Sequence, residues 1–264
     1  MSKTTTKQRV AIWGILILTV FSTVALYAGI VITQQNTTKE SAELAQAQAK
    51  FDENVKTQQA KVDARVAEEI TPKVTELSNK YYPEFSNYKD SAKSFNAASV
   101  KELTTNELKE GDGSEIMSGF TDYSMYYIGW QPDGTTFDSS FDGEALTAPL
   151  AGDGSYITGW SEGVIGMKVG GIREITIPSD KAYSESGTGT EGEDGYIAPN
   201  TPLKFIVMAI PKADIVTESS ISSEIPYPKG TFDLCIQSYK EYIDQYGQEI
   251  VEQYICGTYA NEEE

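Results

Sequence analysis

The side chains able to do chemistry in this chain are aromatic and acidic. Its 264 residues include 16 Tyr, 9 Phe, 3 Trp and 39 Asp or Glu, but no His and only two Cys. Without an imidazole there is no Ser-His-Asp triad, no Cys-His pair and no His-ligated zinc. Two cysteines alone cannot close a four-thiolate site. What remains is carboxylate or phenol chemistry, a hard metal held by carboxylates, or a pocket whose reaction needs no proton transfer. With 21 Lys and Arg the formal net charge is −18. A phosphate-backbone binder needs clustered cations, so no nucleic-acid partner is expected.

The aromatic residues fall into an ordered series. Tyr127-Ile-Gly-Trp130 is followed by Asp133-Gly-Thr-Thr-Phe-Asp-Ser-Ser140 and by Gly152-Asp-Gly-Ser-Tyr-Ile-Thr-Gly-Trp160. Then come Gly163, Met167-Lys-Val-Gly-Gly171, Arg173-Glu-Ile-Thr-Ile-Pro178, Ala182-Tyr183 and Ile197-Ala-Pro-Asn-Thr-Pro-Leu-Lys-Phe205. Their order and spacing resemble the FKBP-type peptidyl-prolyl cis-trans isomerases over residues 100–212, under half of the chain. The resemblance implies an α+β fold, a twisted antiparallel β-sheet wrapped around a short helix. It also implies isomerisation of X-Pro bonds without a cofactor or a metal.

That reaction suits the residue inventory. An X-Pro bond turns over a barrier of roughly 18–20 kcal/mol, because amide resonance keeps it planar. Rotation needs no nucleophile and no base, only surroundings that bind the twisted amide better than either planar form. A dry aromatic pocket with a few placed donors supplies such surroundings. Carried over position by position, the resemblance puts Trp160 at the pocket floor and Tyr127, Phe137 and Phe205 in its walls. Tyr156 and Ile157 match the two positions before the floor, with the Ile157 N–H facing a substrate carbonyl. Asp138 matches a carboxylate facing the pocket, and Tyr183 a hydroxyl that bonds the ligand carbonyl. The same rings would also serve as the core of a small β domain, and Asp138, beside two serines, as a turn former. The whole array favours the pocket, by a smaller margin for Asp138.

The chain also departs from the family pattern. Gly143 stands where the family often has an Arg able to pair with the pocket carboxylate. Leu146-Thr-Ala-Pro-Leu150 replaces a stretch that carries a further aromatic wall, leaving Thr147 in its place. Ser184, not Gly, follows Tyr183. The loop to Tyr196 is long and acidic, with Glu185, Glu191, Glu193 and Asp194 among glycines. It lacks EF-hand spacing and reads as a solvated loop rather than a calcium site.

The elements that must position these residues occupy only part of the chain. Alternating runs at 115–120, 124–130, 173–178 and 203–210 predict strands of an antiparallel sheet, and 161–167 a short helix. Ahead of them, residues 10–32 are uncharged over 23 positions, long enough to span a bilayer. Trp13 and Tyr27 lie towards the ends of this span, and Lys3, Lys7 and Arg9 precede it. The expectation is a cytoplasmic N-terminus (1–9), a transmembrane helix (10–32) contacting lipid, and everything later outside the cytoplasm. The Asn36-Thr37-Thr38 sequon lies so near the span that it reads as chance. Residues 33–99 read as a helical stalk and linker. Leu44, Phe51, Val55, Val62, Val66 and Ile70 have helical spacing, but Gln58 and Arg65 break the heptad. The stalk is therefore either a self-associating coiled coil or, as favoured, a solvated spacer. Pro72 should end or kink its helix, and a second piece at 73–82 should stop at Pro83.

Beyond the isomerase-like domain, 213–230 reads as a linker and 231–264 as a helical tail. Phe232, Ile236, Tyr239, Ile243, Tyr246, Ile250 and Tyr254 mark one apolar face of that tail. Cys235 and Cys256 would lie about 31 Å apart on one straight helix. A break at Gly247 would bring them together as an intrachain disulfide closing a hairpin, with an intermolecular bridge as the rival. The acidity is concentrated late in the chain: residues 100–212 hold eighteen acids and seven bases, and 213–264 eleven and two. The expected function is an anchored, extracytoplasmic prolyl isomerase that assists folding of exported, proline-containing polypeptides. The alternative is a catalytically weak chaperone or binding module of the same fold.

Overall fold

The computed structural model describes residues 37–263. From Thr37 the chain forms helix α1 (Thr37–Arg65), a π-helical turn (Val66–Ile70) and helix α2 (Thr71–Phe85). Strand β1 (Thr104–Lys109) is followed by β2 (Tyr123–Trp130), β3 (Thr136–Ser139), β4 (Phe141–Asp142), β5 (Ala145–Leu146) and β6 (Leu150–Ala151). Helix α3 (Thr158–Gly163) precedes β7 (Ile172–Ile177) and β8 (Leu203–Pro211). Helices α4 (Glu218–Glu224), α5 (Thr231–Ser238), α6 (Lys240–Tyr246) and α7 (Gln248–Ile250) follow, the last running into a π-turn (Val251–Ile255). Residues 73–215 form one compact unit, and 37–72 with 216–263 form a second. Residues 1–9 and the span expected at 10–32 lie outside the described residues. Among the described residues no helix is long and apolar enough to cross a membrane.

The first unit is built on a sheet of order β1-β7-β8-β2-β3, antiparallel throughout, with β6 added beside β2. Its central strands, β2 and β8, are near-continuous apolar runs, the pattern of strands buried on both faces. On one face Met125, Ile175, Ile177, Phe205 and Val207 close over α3. The approach is tight. A Cβ on Gly159 would lie 2.2 Å from the Ile177 side chain, and one on Gly163 would lie 2.5 Å from Ile175. Only glycine lets the helix lie this close to the sheet.

The other face is covered as well, by a layer that the sequence reading treated as linker. Tyr126, Ile128, Ile206, Met208 and Ile210 pack under Phe85 and Phe141, with Tyr81, Tyr82 and Phe95 beside them. Helix α2 does not stop at Pro83 but runs through it to Phe85. Proline forfeits a helical hydrogen bond. Phe85 is fully buried and stacks on Phe141 at 5.0 Å. Burying one such ring is worth about 1.5–3 kcal/mol, so packing carries the helix past its breaker.

One strand expectation fails and one strand goes unexpected for a common reason, the use of apolar alternation as the signal. Residues 115–120 form only an isolated bridge between Glu115 and Lys168. The chain there bends, with the Phe120 N–H bonded to the Met117 carbonyl, and Met117 is exposed. Conversely, β1 is exposed at all six positions and carries no apolar alternation. It is held instead by pairing with β7, where Glu107 lies opposite Arg173. The helix expected at 161–167 is observed earlier, at Thr158–Gly163.

The second unit joins α1 to the tail helices, so α1 is not a solvated spacer. Phe51 packs with Cys235, Tyr239, Val251, Cys256 and Tyr259, and Val62 packs with Ile221 and Ile225. The two residues that broke the heptad have partners in the tail. Gln58 is 2% exposed and donates to the Ser222 and Ile225 carbonyls at 3.3 and 3.2 Å. Arg65 pairs with Glu69 at 2.7 Å and Glu224 at 2.9 Å. Phe51, Val55, Val62, Val66 and Ile70 of the face proposed for self-association are therefore packed within the chain. Cys235 and Cys256 form an intrachain disulfide with Cα atoms 5.8 Å apart. The break that permits it falls at Gly247, between α6 and α7, where φ is +91°.

Candidate active site

The eight residues singled out by the resemblance come together on the α3 face of the sheet unit. Strand β2 supplies Tyr127, β3 supplies Phe137 and Asp138, and β8 supplies Phe205. Trp160 lies in α3, with Ile157 as its N-cap residue and Tyr156 just before. Tyr183 follows a 3-10 turn at Ser179–Lys181. Tyr127, Phe137, Tyr156, Ile157 and Tyr183 are partly buried, all against the core cluster that contains Trp160 and Phe205.

Trp160 is the centre of the array and is 3% exposed. Tyr127 and Phe205 meet its ring edge to face at 5.4 and 5.0 Å, and Tyr156 lies tilted at 5.6 Å. Phe137 stands perpendicular to Phe205 at 5.5 Å. Edge-to-face pairs are favoured by the ring quadrupole and fix ring orientation. The Trp160 indole N–H is buried and has no hydrogen-bond partner among the described residues. A buried unpaired donor is costly, and at the centre of an aromatic array it is a donor available to a bound group.

Polar groups at the rim are held in defined states. The Tyr127 hydroxyl donates to Asp138, whose side chain is exposed. Burial, then the Asp138 carboxylate, pushes the Tyr127 phenol well above its usual range. Burial raises Tyr183 too, with Asp138 adding to the effect. Tyr156 is pushed up to about 12 by burial and then by Tyr123 and Asp153. Its hydroxyl donates to the Ala151 carbonyl at 2.5 Å. All three phenols are thus neutral donors at physiological pH. The Ile157 carbonyl accepts from Trp160 and Ser161 at 3.0 and 3.1 Å, while its own N–H makes no backbone hydrogen bond among the described residues.

Sequence reasoning missed the residue that fixes α3. Arg173, 7% exposed, donates to the Gly163 and Ile165 carbonyls, each at 2.8 Å, and pairs with Glu107. One guanidinium thus ties β1, β7 and the C-terminal end of the helix bearing Trp160. The available signal was a lone cation in register with the inward residues Ile175 and Ile177. The departures from the family pattern have local reasons. Gly143 has φ +60° in the turn joining β4 to β5, a conformation an Arg rarely adopts. Thr147 bonds the Ser140 carbonyl through its backbone N–H at 2.9 Å and its hydroxyl at 3.3 Å.

Two depressions of about 500 and 380 Å³ lie away from this array, along Phe95 and Lys204 on the opposite face of the sheet. None of the eight array residues lines either of them. Among the described residues no cluster of His, Cys, Asp or Glu could hold a metal ion.

The comparisons with known proteins agree with this geometry. The FKBP-type peptidyl-prolyl cis-trans isomerase family matches residues 118–210. An FK506-binding protein of Neisseria meningitidis serogroup B is 41% identical over 105 residues, 40% of this chain and 91% of that protein. This chain belongs to the FKBP-type peptidyl-prolyl cis-trans isomerases. An FK506-binding protein of Streptomyces anulatus is also 41% identical, over 107 residues, 40% of this chain and 82% of that protein. The family match runs from just before β2 to β8. The isomerase domain of this chain thus includes all eight array residues, while β1 and the helical unit lie outside the match.

Proposed function

We propose that this isomerase turns X-Pro bonds of proteins outside the cytoplasm, held at the membrane by residues 10–32, and so assists their folding. The observation that carries the catalytic part is the buried Trp160 ring, walled by Tyr127, Tyr156 and Phe205, with its N–H unpaired. A prolyl ring seated on that indole would leave water behind, and desolvation favours the twisted amide, whose dipole is smaller. Tyr183, held neutral, would donate to the substrate carbonyl, and the Ile157 N–H would offer a second donor. Phe137 and Phe205 would close one wall. Asp138 would orient the Tyr127 hydroxyl and face the amide nitrogen as it becomes pyramidal. No step takes a proton from substrate.

Location is supported separately. The disulfide Cys235–Cys256 is buried, and such bonds persist in oxidising compartments. An uncharged stretch behind Lys3, Lys7 and Arg9 fits an anchor with its following domain outside. The test is cis-to-trans exchange of a short X-Pro peptide with the full chain, wild type against Trp160→Ala and Tyr183→Phe. Acceleration lost in both variants is expected. Unchanged rates in both would refute the site assignment. An equally slow wild type would favour a module that only holds chains.

A further inference from the structure

The long acidic loop after Tyr183 stands on the aromatic site itself. Its first foot is Tyr183, whose carbonyl accepts from the Gly187 N–H at 3.2 Å. Its second foot lies beside Phe137, since a Cβ on Gly195 would come within 3.8 Å of the Phe137 carbonyl. The adjacent Tyr196 carbonyl accepts from the Gln131 side chain at 2.8 Å, and Thr188 and Ile197 bridge the loop's base. Between these feet Glu185, Glu191, Glu193 and Asp194 are all exposed, and none forms an ion pair among the described residues.

The sequence segments that carry the site have the same sign. Segments 136–162 and 179–196, which carry six of the eight array residues and the loop, hold ten acidic side chains and one basic. That one base, Lys181, is already paired with Glu162. A substrate approaching Trp160 therefore meets carboxylates without a compensating cation from these segments. Charges of one sign around a cleft steer association and select partners more than they add contact energy.

We infer that the loop between Tyr183 and Ile197 makes this isomerase selective for X-Pro segments flanked by Lys or Arg. The inference rests on the aromatic array being the X-Pro site and adds its substrate class. The prolyl ring fills the apolar pocket, while cationic flanks lie against the loop and anionic flanks are repelled. The effect lies in encounter and affinity, not in the rotation step.

The test uses the full chain and peptides sharing one Leu-Pro core, flanked by Lys, Ser or Glu. At low ionic strength kcat/KM for the Lys peptide should exceed that for the Glu peptide about tenfold. In about 1 M NaCl, where screening acts within about 3 Å, the ratio should fall below about twofold. Replacing Glu185→Gln, Glu191→Gln, Glu193→Gln and Asp194→Asn together should shrink the ratio to roughly threefold and leave the Ser peptide unchanged. Equal rates for the Lys and Glu peptides at low salt would overturn the inference, as would a ratio indifferent to the fourfold variant. If no peptide is accelerated, the site reading fails instead. Binding of the same peptides, followed by tryptophan fluorescence, then decides the inference: affinities ordered Lys, Ser, Glu uphold it, and charge-blind affinities overturn it.

Discussion

In the sheet unit, side chains from β2, β3, β8 and α3 converge on Trp160, whose indole N–H is left unpaired. In the helical unit the buried polar group, Gln58, donates to two tail carbonyls, and a disulfide closes the cluster. The sheet unit holds an unpaired donor at the centre of its aromatic array, whereas the helical unit pairs Gln58 internally. Buried polar groups are normally paired, so each orphan asks for an explanation; the sheet unit holds a second one, the Tyr126 hydroxyl in its opposite layer.

This contrast can be broken by substitution, beginning with its centre. Trp160→Ala should destabilise the sheet unit by about 3–5 kcal/mol and abolish catalysis. Separate unfolding transitions in urea should show the helical unit unmoved. Next, Cys235→Ser with Cys256→Ser opens a loop of 21 residues' separation, costing the helical unit about 3 kcal/mol. Peptide isomerisation should persist in that double variant; its loss would show that the sheet unit depends on the helical one. Gln58→Leu removes both hydrogen bonds to the Ser222 and Ile225 carbonyls and should cost about 1–3 kcal/mol, read as a lower midpoint of the helical transition alone. Tyr183→Phe should change stability by less than about 1 kcal/mol while lowering kcat/KM roughly tenfold, equivalent to about 1.4 kcal/mol.

The smallest effect is on pH. Burial pushes Tyr239 and Tyr259 up to about 12, helped by neighbouring Tyr residues and then Asp52. Their folded values exceed the unfolded value of about 10, so the stability they contribute is complete below pH 10 and is lost as pH rises towards 12. The helical unit should thus weaken across that window, followed as its urea midpoint; a flat midpoint would refute the burial of these phenols. Activity should show no decline up to pH 9, since Tyr127, Tyr156 and Tyr183 stay protonated there.

The same contrast explains what the sequence revealed. The array was legible because its residues carry a fixed order and spacing from Tyr127 to Phe205. The α+β class came with the resemblance, and three of the main strands followed from alternating apolar runs. Strand β1 did not, because its six residues are exposed and it is held by pairing with β7, where Glu107 meets Arg173. The helical unit was hidden by distance along the chain. Gln58 meets Ile225 across 167 residues and Asn54 meets Thr231 across 177. Seen within α1 alone, Gln58 is only a fault in a heptad. Likewise Pro83 reads as a stop until Phe85 is known to be buried.

The helical unit is assembled from residues 37–72 and 216–263, so the sheet unit is inserted within its sequence. A chain emerging from its N-terminus therefore has all of residues 73–215 available for folding before α5 or Cys256 exists. Domains fold as units during synthesis, and distant contacts are the slow ones. The isomerase would be a working catalyst while its own last helices were still being delivered. Truncation after residue 215 would leave that catalyst's unit whole and α1 without its tail helices.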